Sequence, residues 1–443
     1  MTNNNFYRNK SHIREVDSKI VLPPSQFKSI RQLVISALTD TGDKTTKIKN
    51  FSLSNDALIV IDAMKKFGWK VDQIVSNPGA YSVLEIAGGI DKMQDCDVPI
   101  YLGNSGLGFR IAMMLAALGK GKYSLVGDER MNKRTIKDLE SGLLDVGVKV
   151  KTELGYPPCD IVGNGGTLGG GELFVSGKET SQFHTAMLLG LAQNKNGLTL
   201  KTDNLVSKSY IEMTRQMIEK NGIKVNVNND YNIFNINPNQ NFGYKREIKI
   251  ETDLILATNF LFMTSMIGGK LSVDIPEEDL ISDKWVLDIF KNHFNCHINI
   301  DNGLLTLENE GKVGAFDIDV YDIPFLLPNI AMSSLLADGK CYIRNANSSN
   351  NKMTKRKDQT IPSVLKKLGA KVELTEKDMI ITPPKGEIKD VEIKSGDHGN
   401  DHRIVMALIC LSQCKGVDIK IENISCIDKS FPEFLNVLDQ CKS

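Results

Sequence analysis

Apolar residues recur at helical spacing in one segment after another, and each such segment ends in glycine or asparagine before a short strand. The instances are VIDAMKKFGWKV, DLESGLLDVGVKV, TRQMIEKNGIKVNV, LDIFKNHFNCHINI and IPSVLKKLGAKVEL, with Gly68, Gly147, Gly222, Asn295 and Gly369 at the helix ends. Successive ends are 79, 75, 73 and 74 residues apart. Glycine, and to a lesser degree asparagine, accepts the left-handed conformation that ends many helices. The pattern predicts a structural unit that recurs along the chain.

A second kind of helix is apolar on every side. The segments 180–193, 257–269 and 326–339 are of this kind, and each precedes a strand such as GLTLKTD, KLSVDI or KCYIRNA. A helix without a polar face belongs inside a domain. With FPEFLNVLDQCKS as the sixth helix, the pattern predicts two α/β domains of three units each, with helices inside and strands outside. The alternative is an ordinary α/β protein whose units resemble one another by chance.

Composition excludes several classes of protein. The chain carries 54 basic and 54 acidic residues, so bulk charge does not favour binding to nucleic acid or to an anionic membrane. The longest apolar run, residues 111–118, is too short for a membrane span, and the N-terminus lacks the apolar core of a signal peptide. Eight cysteines without a CxxC pair predict reduced thiols and a cytoplasmic protein. We expect residues 1–12 to be mobile.

Two glycine-rich stretches are candidate anion sites. YLGNSGLGFR (101–110) follows a predicted strand and opens a helix, so its backbone N–H groups could approach an anion. Glycines at such spacing are common, and the signal is weak on its own. GNGGTLGGGEL (163–173) is better explained as a turn between hairpin strands. The P-loop pattern is absent from the sequence.

The segment DHGNDHR (397–403) places pairs of aspartate and histidine four residues apart, a spacing that could hold a metal on a helix. Gly399 and Asn400 interrupt a helix here, and RIVMALICLS begins one directly afterwards. We therefore predict that Asp401 caps that helix, with Arg403 in its first turn and no metal site.

Several basic residues stand in conspicuous local settings. Each alone is most simply a solvated surface charge, but together they would suit a ligand with two anionic groups. They are Arg31, Arg110, Arg130, Arg134, Lys352, Arg356, Arg403 and Lys429.

The order of these landmarks resembles the EPSP synthase branch of the enolpyruvyl transferase family. The matching segments run from about residue 20 to 435: LPPSQFKSIRQLV, LGNSGLGFR, GDERMNKRTIKDL, VSGKETSQFHTAML, SKSYIEMT, DIPFLLPNIAMSSLLADG, GDHGNDHRIVMA and DKSFPEF. The resemblance implies two inverse α/β domains, each built from three βαβαββ units, which close over their ligands. It places one domain at 1–22 plus 250–443 and the other at 23–249.

The resemblance also implies transfer of the carboxyvinyl group of phosphoenolpyruvate (PEP) to a hydroxyl group, with no cofactor. It implies that the partners are small anionic ligands and that the protein binds neither nucleic acid nor a membrane. It also implies a monomer. The implied PEP-binding residues are Asn104, Gly106, Arg130, Arg356, Arg403 and Lys429, with Arg110 in support and Lys357 as a rival to Arg356. The implied residues for a phosphorylated acceptor are Arg31, Ser181, Gln182, Ser207, Tyr210 and Lys352.

Four positions depart from the family pattern. Gln26 stands where the family has an essential lysine, and Phe27 replaces a phosphate-binding serine. Phe325 and Met353 each stand where the family has a carboxylate. Neither phenylalanine nor methionine carries a proton, and loss of a general acid or base typically costs about 10²–10⁴-fold in rate.

Three hypotheses follow from this mixture of retained and altered residues. The first is a carboxyvinyl transferase with altered chemistry, in which Asp322 or His402 replaces the lost carboxylates beside Arg403 and Lys429, with Asp401 a further candidate. The second is a lyase that eliminates phosphate from a ring resembling shikimate 3-phosphate, without PEP. The third is a binding or regulatory protein without catalysis.

Overall fold

The computed structural model describes residues 6–9, 11–74, 82–166, 168–282, 284–346 and 360–442. The chain divides into two compact units. The inserted unit comprises Pro24–Glu251, and the split unit comprises Met1–Pro23 together with Thr252–Ser443.

The helices alternate with strands along the chain. They are α1 Gln26–Leu38, α2 Asn55–Lys66, α3 Gly106–Leu118, α4 Lys137–Asp145, α5 Gln182–Leu191, α6 Lys208–Lys220, α7 Leu254–Ile267, α8 Glu277–Ser282, α9 Lys284–His293, α10 Leu327–Ser333, α11 Thr360–Lys367, α12 Ser395–His398, α13 His402–Leu411 and α14 Phe434–Gln440. Short 3₁₀ helices lie at Ile90–Lys92, Met131–Lys133, Pro324–Leu326, Ser334–Leu336 and Ile424–Lys429.

The strands are short, as expected for sheets that each cover one side of a helical core. They are β1 Phe6–Arg8, β2 Val16–Ile20, β3 Thr46–Phe51, β4 Val71–Ile74, β5 Ser82–Ile86, β6 Ile100–Tyr101, β7 Lys122–Val126, β8 Lys149–Glu153, β9 Tyr156–Val162, β10 Glu172–Phe174, β11 Leu198–Lys201, β12 Val225–Val227, β13 Ile233–Ile236, β14 Glu247–Lys249, β15 Gly269–Asp274, β16 His297–Asp301, β17 Leu304–Asn309, β18 Asp317–Asp319, β19 Cys341–Arg344, β20 Lys371–Leu374, β21 Met379–Thr382, β22 Ile388–Ile393 and β23 Val417–Glu422.

Three sheets of the same topology form the inserted unit, in the orders β6-β7-β9-β8, β10-β11-β13-β12 and β14-β3-β5-β4. In each sheet the first two strands are parallel and the others antiparallel. A parallel pair needs a crossover, which a helix supplies. The first two sheets follow a βαβαββ order along the chain, and the third takes its first strand, β14, from the end of the unit.

The split unit repeats this topology with help from the N-terminal segment. β2 is the parallel first strand of the sheet β16-β17-β15-β2, and a second sheet has the order β18-β19-β21-β20. The third sheet, β1-β23-β22, contains three strands among the described residues. The prediction of six repeated units in an α/β fold is confirmed.

The helices that are apolar on every side form the interior. α5 and α7 are buried along almost their whole length, and α10 is buried throughout. α3 packs against α5 in the inserted unit, and α13 against α7 and α10 in the split unit. Along α7, as in the other interior helices, side chains on all sides meet neighbouring helices or a sheet, so the helix needs no polar face.

Left-handed residues end the recurring helices, as the sequence pattern predicts. Gly68, Gly147, Gly222 and Gly369 have φ values of +104°, +86°, +97° and +90°, and Asn295 has φ of +50°. An L-residue with a larger side chain is strained at such φ values. The chain therefore reverses at these points and enters the following strand.

Two sequence predictions are wrong. The glycine-rich segment 163–173 does not join two strands of a hairpin, because β9 and β10 belong to different sheets. The expectation that residues 1–12 are mobile is wrong for residues 6–8, because β1 pairs with β23 and Arg8 contacts Asp418 at 2.6 Å. In both cases the partner strand is distant in sequence, so local composition carried no sign of it. Within the part of the chain that the structure describes, no helix has the length and apolar character needed to cross a membrane.

Candidate functional site

In the inserted unit a glycine, a guanidinium group and an amide converge at the start of α3. Ser105 caps this helix, and its hydroxyl accepts a hydrogen bond from the Gly108 N–H at 3.3 Å. A Cβ atom at Gly106 would lie 2.7 Å from Arg134 Nη1 and 3.0 Å from Gln182 Oε1. Only glycine leaves room for both groups, so the backbone N–H groups of the helix start lie beside a cation and a polar amide.

Arg110 adds a buried positive charge one turn further along α3. Its side chain is 1% exposed, and its guanidinium donates to the carbonyls of Gly106 and Thr135, both at 2.9 Å. It also lies over the Phe183 ring, 5.5 Å from the centroid. Burial, reinforced by the charge of Arg134, lowers the pKa of Arg110 to about 9.

In the described part of the chain, the Arg110 guanidinium is held by backbone carbonyls rather than by a carboxylate. Among the described residues no carboxylate forms an ion pair with Arg110. Two neighbouring cations at a helix N-terminus make this point of the inserted unit favourable for an anion.

The predicted residues Asn104 and Arg130 flank this cluster along the chain. Asn104 is half-buried in the turn that precedes Ser105, and Arg130 is exposed where β7 leads into the 3₁₀ helix at 131–133. The Asp128 carboxylate fixes that turn by accepting from the N–H groups of Arg130 at 2.9 Å and Met131 at 2.8 Å.

Ser181 and Gln182 lie at the N-terminus of α5. Ser181 is the cap residue and is 5% exposed, while Gln182 is half-buried and reaches the Gly106 cluster. The Thr180 hydroxyl accepts from the Gln182 N–H at 3.3 Å. The rest of α5 is in the core, so its polar start is held in place by an apolar body.

Ser207 and Tyr210 lie at the start of α6. Ser207 has left-handed backbone angles, φ 55° and ψ 52°, which are uncommon for a residue with a side chain. The Tyr210 ring contacts the Phe27 ring, with centroids 5.0 Å apart. Phe27, which replaces the family's serine, therefore packs against a residue of the predicted acceptor site.

Arg31 joins three helices of the inserted unit. It is 1% exposed, and its guanidinium donates to Thr214 Oγ1 at 2.8 Å and to the Tyr210 carbonyl at 3.2 Å, both on α6. Further bonds go to Thr185 Oγ1 on α5 and to the Phe27 carbonyl on α1. The structure thus shows Arg31 holding the helix starts that carry Ser181 and Tyr210.

Gln26, at the first position of α1, is 5% exposed. Its Nε2 lies 3.5 Å from Asp56 Oδ2, in the first turn of α2. Its Oε1 is buried and has no hydrogen-bond partner among the described residues. A neutral amide beside a carboxylate therefore occupies the place where the family pattern has a cation.

In the split unit, Asp401, His402 and Arg403 form the start of α13. The Asp401 carboxylate accepts from the Arg403 N–H at 3.1 Å, which confirms the predicted cap. His402 Nδ1 lies 4.0 Å from Asp401 Oδ1. Both His402 and Arg403 are half-buried. The preceding Gly399 is left-handed and ends α12.

Lys429 is brought close to this helix start by tertiary structure. It is half-buried at the end of the 3₁₀ helix at 424–429, which packs against α13. The left-handed Asn423 opens that 3₁₀ helix, and its Nδ2 donates to Asn400 Oδ1 at 2.6 Å. This bond ties the loop before Lys429 to the loop before Arg403.

Phe325 lies in an apolar setting. It is 7% exposed in the 3₁₀ helix at 324–326, and its ring meets Trp285 edge-on with centroids 6.5 Å apart. Asp322, three residues earlier, is exposed. Lys352, Met353, Arg356 and Lys357 lie outside the described residues.

The sequence predicts no role for Asp56 and no specific role for Arg134. Asp56 resembles any acidic residue in the first turn of a helix, and Arg134 is one of several basic residues in a polar segment. Their proximity to Gln26 and Gly106 depends on contacts between distant segments.

Comparison with known proteins agrees with this architecture. A family model described as EPSP synthase (3-phosphoshikimate 1-carboxyvinyltransferase) matches residues 10–438. The chain is 32% identical to the chloroplastic 3-phosphoshikimate 1-carboxyvinyltransferase of Arabidopsis thaliana, over 97% of this chain and 83% of that protein. It is also 32% identical to that of a Marinomonas species, over 96% and 97%. An EPSP synthase structure from Acinetobacter baumannii superimposes with a TM-score of 0.76 at 19% identity, covering 98% and 97% of the two chains.

The repeated sheets around buried helices define an enolpyruvyl transferase fold. Since the family match covers nearly the whole chain, the chain belongs to the EPSP synthase family.

Proposed function

We propose that the chain transfers the carboxyvinyl group of PEP to shikimate 3-phosphate or to a related phosphorylated and carboxylated acceptor. The observation that carries this proposal is the buried Arg110 guanidinium at the start of α3, which lies beside Gly106 and the half-buried Arg134. A buried cation without an acidic partner is costly unless the site binds an anion. PEP and the acceptor are both anions.

Two groups of residues supply the proposed binding contacts. PEP is bound by Asn104, Gly106, Arg130, Arg356, Arg403 and Lys429. The acceptor is bound by Ser181, Gln182, Ser207, Tyr210 and Lys352, with Arg31 fixing the helix starts that carry them.

The proposed reaction adds and then eliminates. A proton is delivered to the methylene carbon of PEP, the acceptor hydroxyl attacks the adjacent carbon, and the hydroxyl proton goes to a base. The tetrahedral intermediate then loses a methyl proton and phosphate, which regenerates the double bond. In this proposal Lys429 delivers the proton to the methylene carbon of PEP, and Arg403 stabilises the negative charge on the phosphate. Asp322 and His402 are the proposed groups for the hydroxyl proton.

The altered positions predict a slow enzyme with ordinary ligands. Phe325 offers no proton, and the Gln26 amide carries no charge to support an anion. Asp322 and His402 are proposed to replace only the carboxylates that the family has at the positions of Phe325 and Met353. We therefore expect turnover to be lower, by up to the roughly 10²–10⁴-fold that is typical for loss of a general acid or base.

A second candidate function is elimination of phosphate from a ring resembling shikimate 3-phosphate, without PEP. The apolar packing of Phe325 against Trp285 favours it, since a carboxylate expected for PEP chemistry is missing there. The retained Arg403 and Lys429 count against it.

One incubation separates these functions. The purified protein is mixed with shikimate 3-phosphate, with and without PEP, and phosphorus NMR follows the release of phosphate. Release that requires PEP and yields a vinyl ether supports the transferase. Release without PEP supports the lyase, and ligand-induced thermal stabilisation without turnover indicates a protein that only binds.

Substitutions at arginine test the anion site. Arg403→Ala should abolish the rise in melting temperature that PEP and shikimate 3-phosphate produce in the wild type. Arg246→Ala is the matched control, because Arg246 is exposed and outside the proposed site. Stabilisation that persists in Arg403→Ala would refute its assignment.

A further inference from the structure

The guanidinium group of Arg31 is fully engaged with the protein, although the family resemblance implies that Arg31 binds the acceptor. Its Nε donates to Thr214 Oγ1 at 2.8 Å, its Nη1 to the Phe27 carbonyl at 3.0 Å and its Nη2 to the Tyr210 carbonyl at 3.2 Å. Nη2 also lies 3.4 Å from Thr185 Oγ1. Each guanidinium nitrogen therefore already donates to a neutral oxygen atom of the inserted unit.

The oxygen atoms that accept from Arg31 are linked to one another. Thr214 Oγ1 donates to the Tyr210 carbonyl at 2.7 Å, and the hydroxyl oxygens of Thr185 and Thr214 lie 3.4 Å apart. A ligand carboxylate at Arg31 would take N–H groups from these buried oxygens and leave them without donors, which is costly. The network therefore favours a structural role for Arg31 over direct contact with a ligand.

Two aromatic rings reach the surface beside this arginine. Phe27 and Tyr210, whose carbonyls accept from Arg31, contact each other through rings with centroids 5.0 Å apart and planes inclined by 58°. Both residues are half-buried, whereas Arg31 is buried. The surface that the inserted unit presents at this point is therefore aromatic and not cationic.

The polar starts of two helices adjoin the ring pair. The buried Ser181 caps α5, and its carbonyl accepts from the N–H of Thr185, the residue that also contacts Arg31, at 3.0 Å. The buried Ser207 precedes α6, and its carbonyl accepts from the Tyr210 N–H at 3.1 Å. Helix starts favour an anion such as a phosphate group. Anion-binding groups and an apolar wall thus lie within one helical turn of each other.

We propose that Phe27 is a specificity-determining residue of the acceptor site, and that the acceptor is a phosphorylated cyclic alcohol recognised without a contact between a carboxylate and Arg31. The phosphate group lies at the helix starts of Ser181 and Ser207, and a neutral edge of the ring packs on Phe27 and Tyr210. This inference rests on the proposed function and narrows its acceptor.

Desolvation explains why the rings disfavour a carboxylate. A charged group placed against them would lose water without gaining a hydrogen bond, whereas a neutral edge loses little water and gains apolar contact. An accessible guanidinium would give the opposite preference, because it binds carboxylates through two charge-assisted hydrogen bonds.

Two ligands that differ in one charge test the inference. Isothermal titration calorimetry measures the dissociation constants of the full-length protein for shikimate 3-phosphate and for its methyl ester, which keeps the phosphate and the ring but has a neutral carboxyl group. We expect the ester to bind more tightly than shikimate 3-phosphate or within about threefold of it. A larger loss with the ester would show that the carboxylate is bound, and would overturn the inference.

Two variants separate contact with the ring from exclusion of the carboxylate. Phe27→Leu and Phe27→Ser both remove the ring, so both should weaken binding of the ester by about two- to tenfold. Serine, the residue of the family pattern, also supplies space and a hydroxyl group. Phe27→Ser should therefore shift the ratio of the two dissociation constants about tenfold toward shikimate 3-phosphate, and Phe27→Leu should not.

The control is Phe174→Ser, at an exposed phenylalanine of β10, which should bind both ligands like the wild type. Melting temperatures without ligand show whether each variant is folded. An unfolded fraction would weaken both ligands equally and leave the ratio unchanged, so it cannot mimic the expected shift. A ratio that is the same in Phe27→Ser as in the wild type would overturn the inference.

Phosphorus NMR of the same samples with PEP tests the proposed function separately. Release of phosphate that requires PEP, together with much weaker binding of the ester, would overturn this inference alone. Tight binding of the ester without release of phosphate would support the acceptor site and overturn the proposed transfer. Failure to bind either ligand would overturn both.

Discussion

The two units carry their candidate residues in different ways. In the inserted unit, Gly106 and Arg110 are buried on a core helix, and the guanidinium of Arg110 is fixed by two backbone carbonyls. In the split unit, Arg403 is half-buried in the first turn of α13, and Lys429 is half-buried at the end of a short 3₁₀ helix. Phe325, in the same unit, stands where the family pattern has a carboxylate. Under the proposed function, the inserted unit supplies a rigid anion site, whereas the split unit supplies further anion contacts and the groups for proton transfer.

Lys429→Met should give the largest effect. It removes a proton donor while retaining much of the side-chain volume, so we expect kcat to fall by about 10²–10⁴-fold. Steady-state kinetics with PEP and shikimate 3-phosphate measures the change. Lys366→Met, at an exposed position of the same unit, is the control. Equal loss in both variants would contradict a specific role for Lys429.

Phe325→Asp tests whether the missing carboxylate limits the rate. We expect kcat to rise by about tenfold to hundredfold, because a proton acceptor returns to the family position. The fold should lose roughly 3 kcal/mol, because a packed ring is replaced by a charge. Phe325→Asn is the matched control, with similar shape and no titratable group. A gain in both variants would show that proton transfer is not the cause.

His184 should make the inserted unit sensitive to acid. Burial lowers its pKa to about 4, well below the ordinary value of 6.5. The unfolded chain therefore binds a proton below pH 6.5 while the folded chain stays neutral until about pH 4. The free energy of unfolding is therefore unaffected by His184 above pH 6.5 and decreases as the pH falls below that value. By pH 5 the loss should reach about 2 kcal/mol.

Urea unfolding at pH 7.5 and pH 5 measures this loss. His184→Gln should show a smaller loss between the two pH values, and the control His297→Gln, at an exposed position, should behave like the wild type. In the split unit, burial also lowers the pKa of His398, but its bond to the Glu422 carbonyl and the carboxylates of Asp397 and Asp401 oppose the shift. We therefore expect a weaker effect in His398→Gln.

Gly106→Ala should have the smallest effect of the four. The added Cβ displaces the Arg134 guanidinium and the Gln182 amide, both of which are ends of flexible side chains. We expect the KM for PEP to rise by about tenfold, which corresponds to about 1.4 kcal/mol, with kcat little changed. Gly314→Ala is the control, since no atom lies within 4 Å of its Cβ position. An unchanged KM would show that the residues around Gly106 do not bind PEP.

Local sequence determined a large part of the fold. The helix ends at Gly68 and Gly369 and the cap at Asp401 follow from backbone preferences of single residues. The interior position of α7 follows from a segment that is apolar on every side. These features depend on neighbours within one turn, which a sequence displays directly.

The remaining features depend on contacts between distant segments. Arg31 resembles a surface charge until α5 and α6 enclose it, and Asp56 acquires significance only beside Gln26. The pairing of β1 with β23 joins residues more than 400 positions apart.

The sequence by itself determined the repeated α/β units, the places where their helices end and the family to which the residues point. Tertiary structure alone decided which cations lie close together, as the buried Arg110 and the half-buried Arg134 do. It also decided which register partners form no ion pair among the described residues, as Lys151 on β8 and Asp160 on β9. The physical reason is the separation along the chain of the atoms that interact. Helix periodicity and caps are set by atoms a few residues apart, whereas desolvation and ion pairing are set by whichever segments the fold brings within a few ångströms.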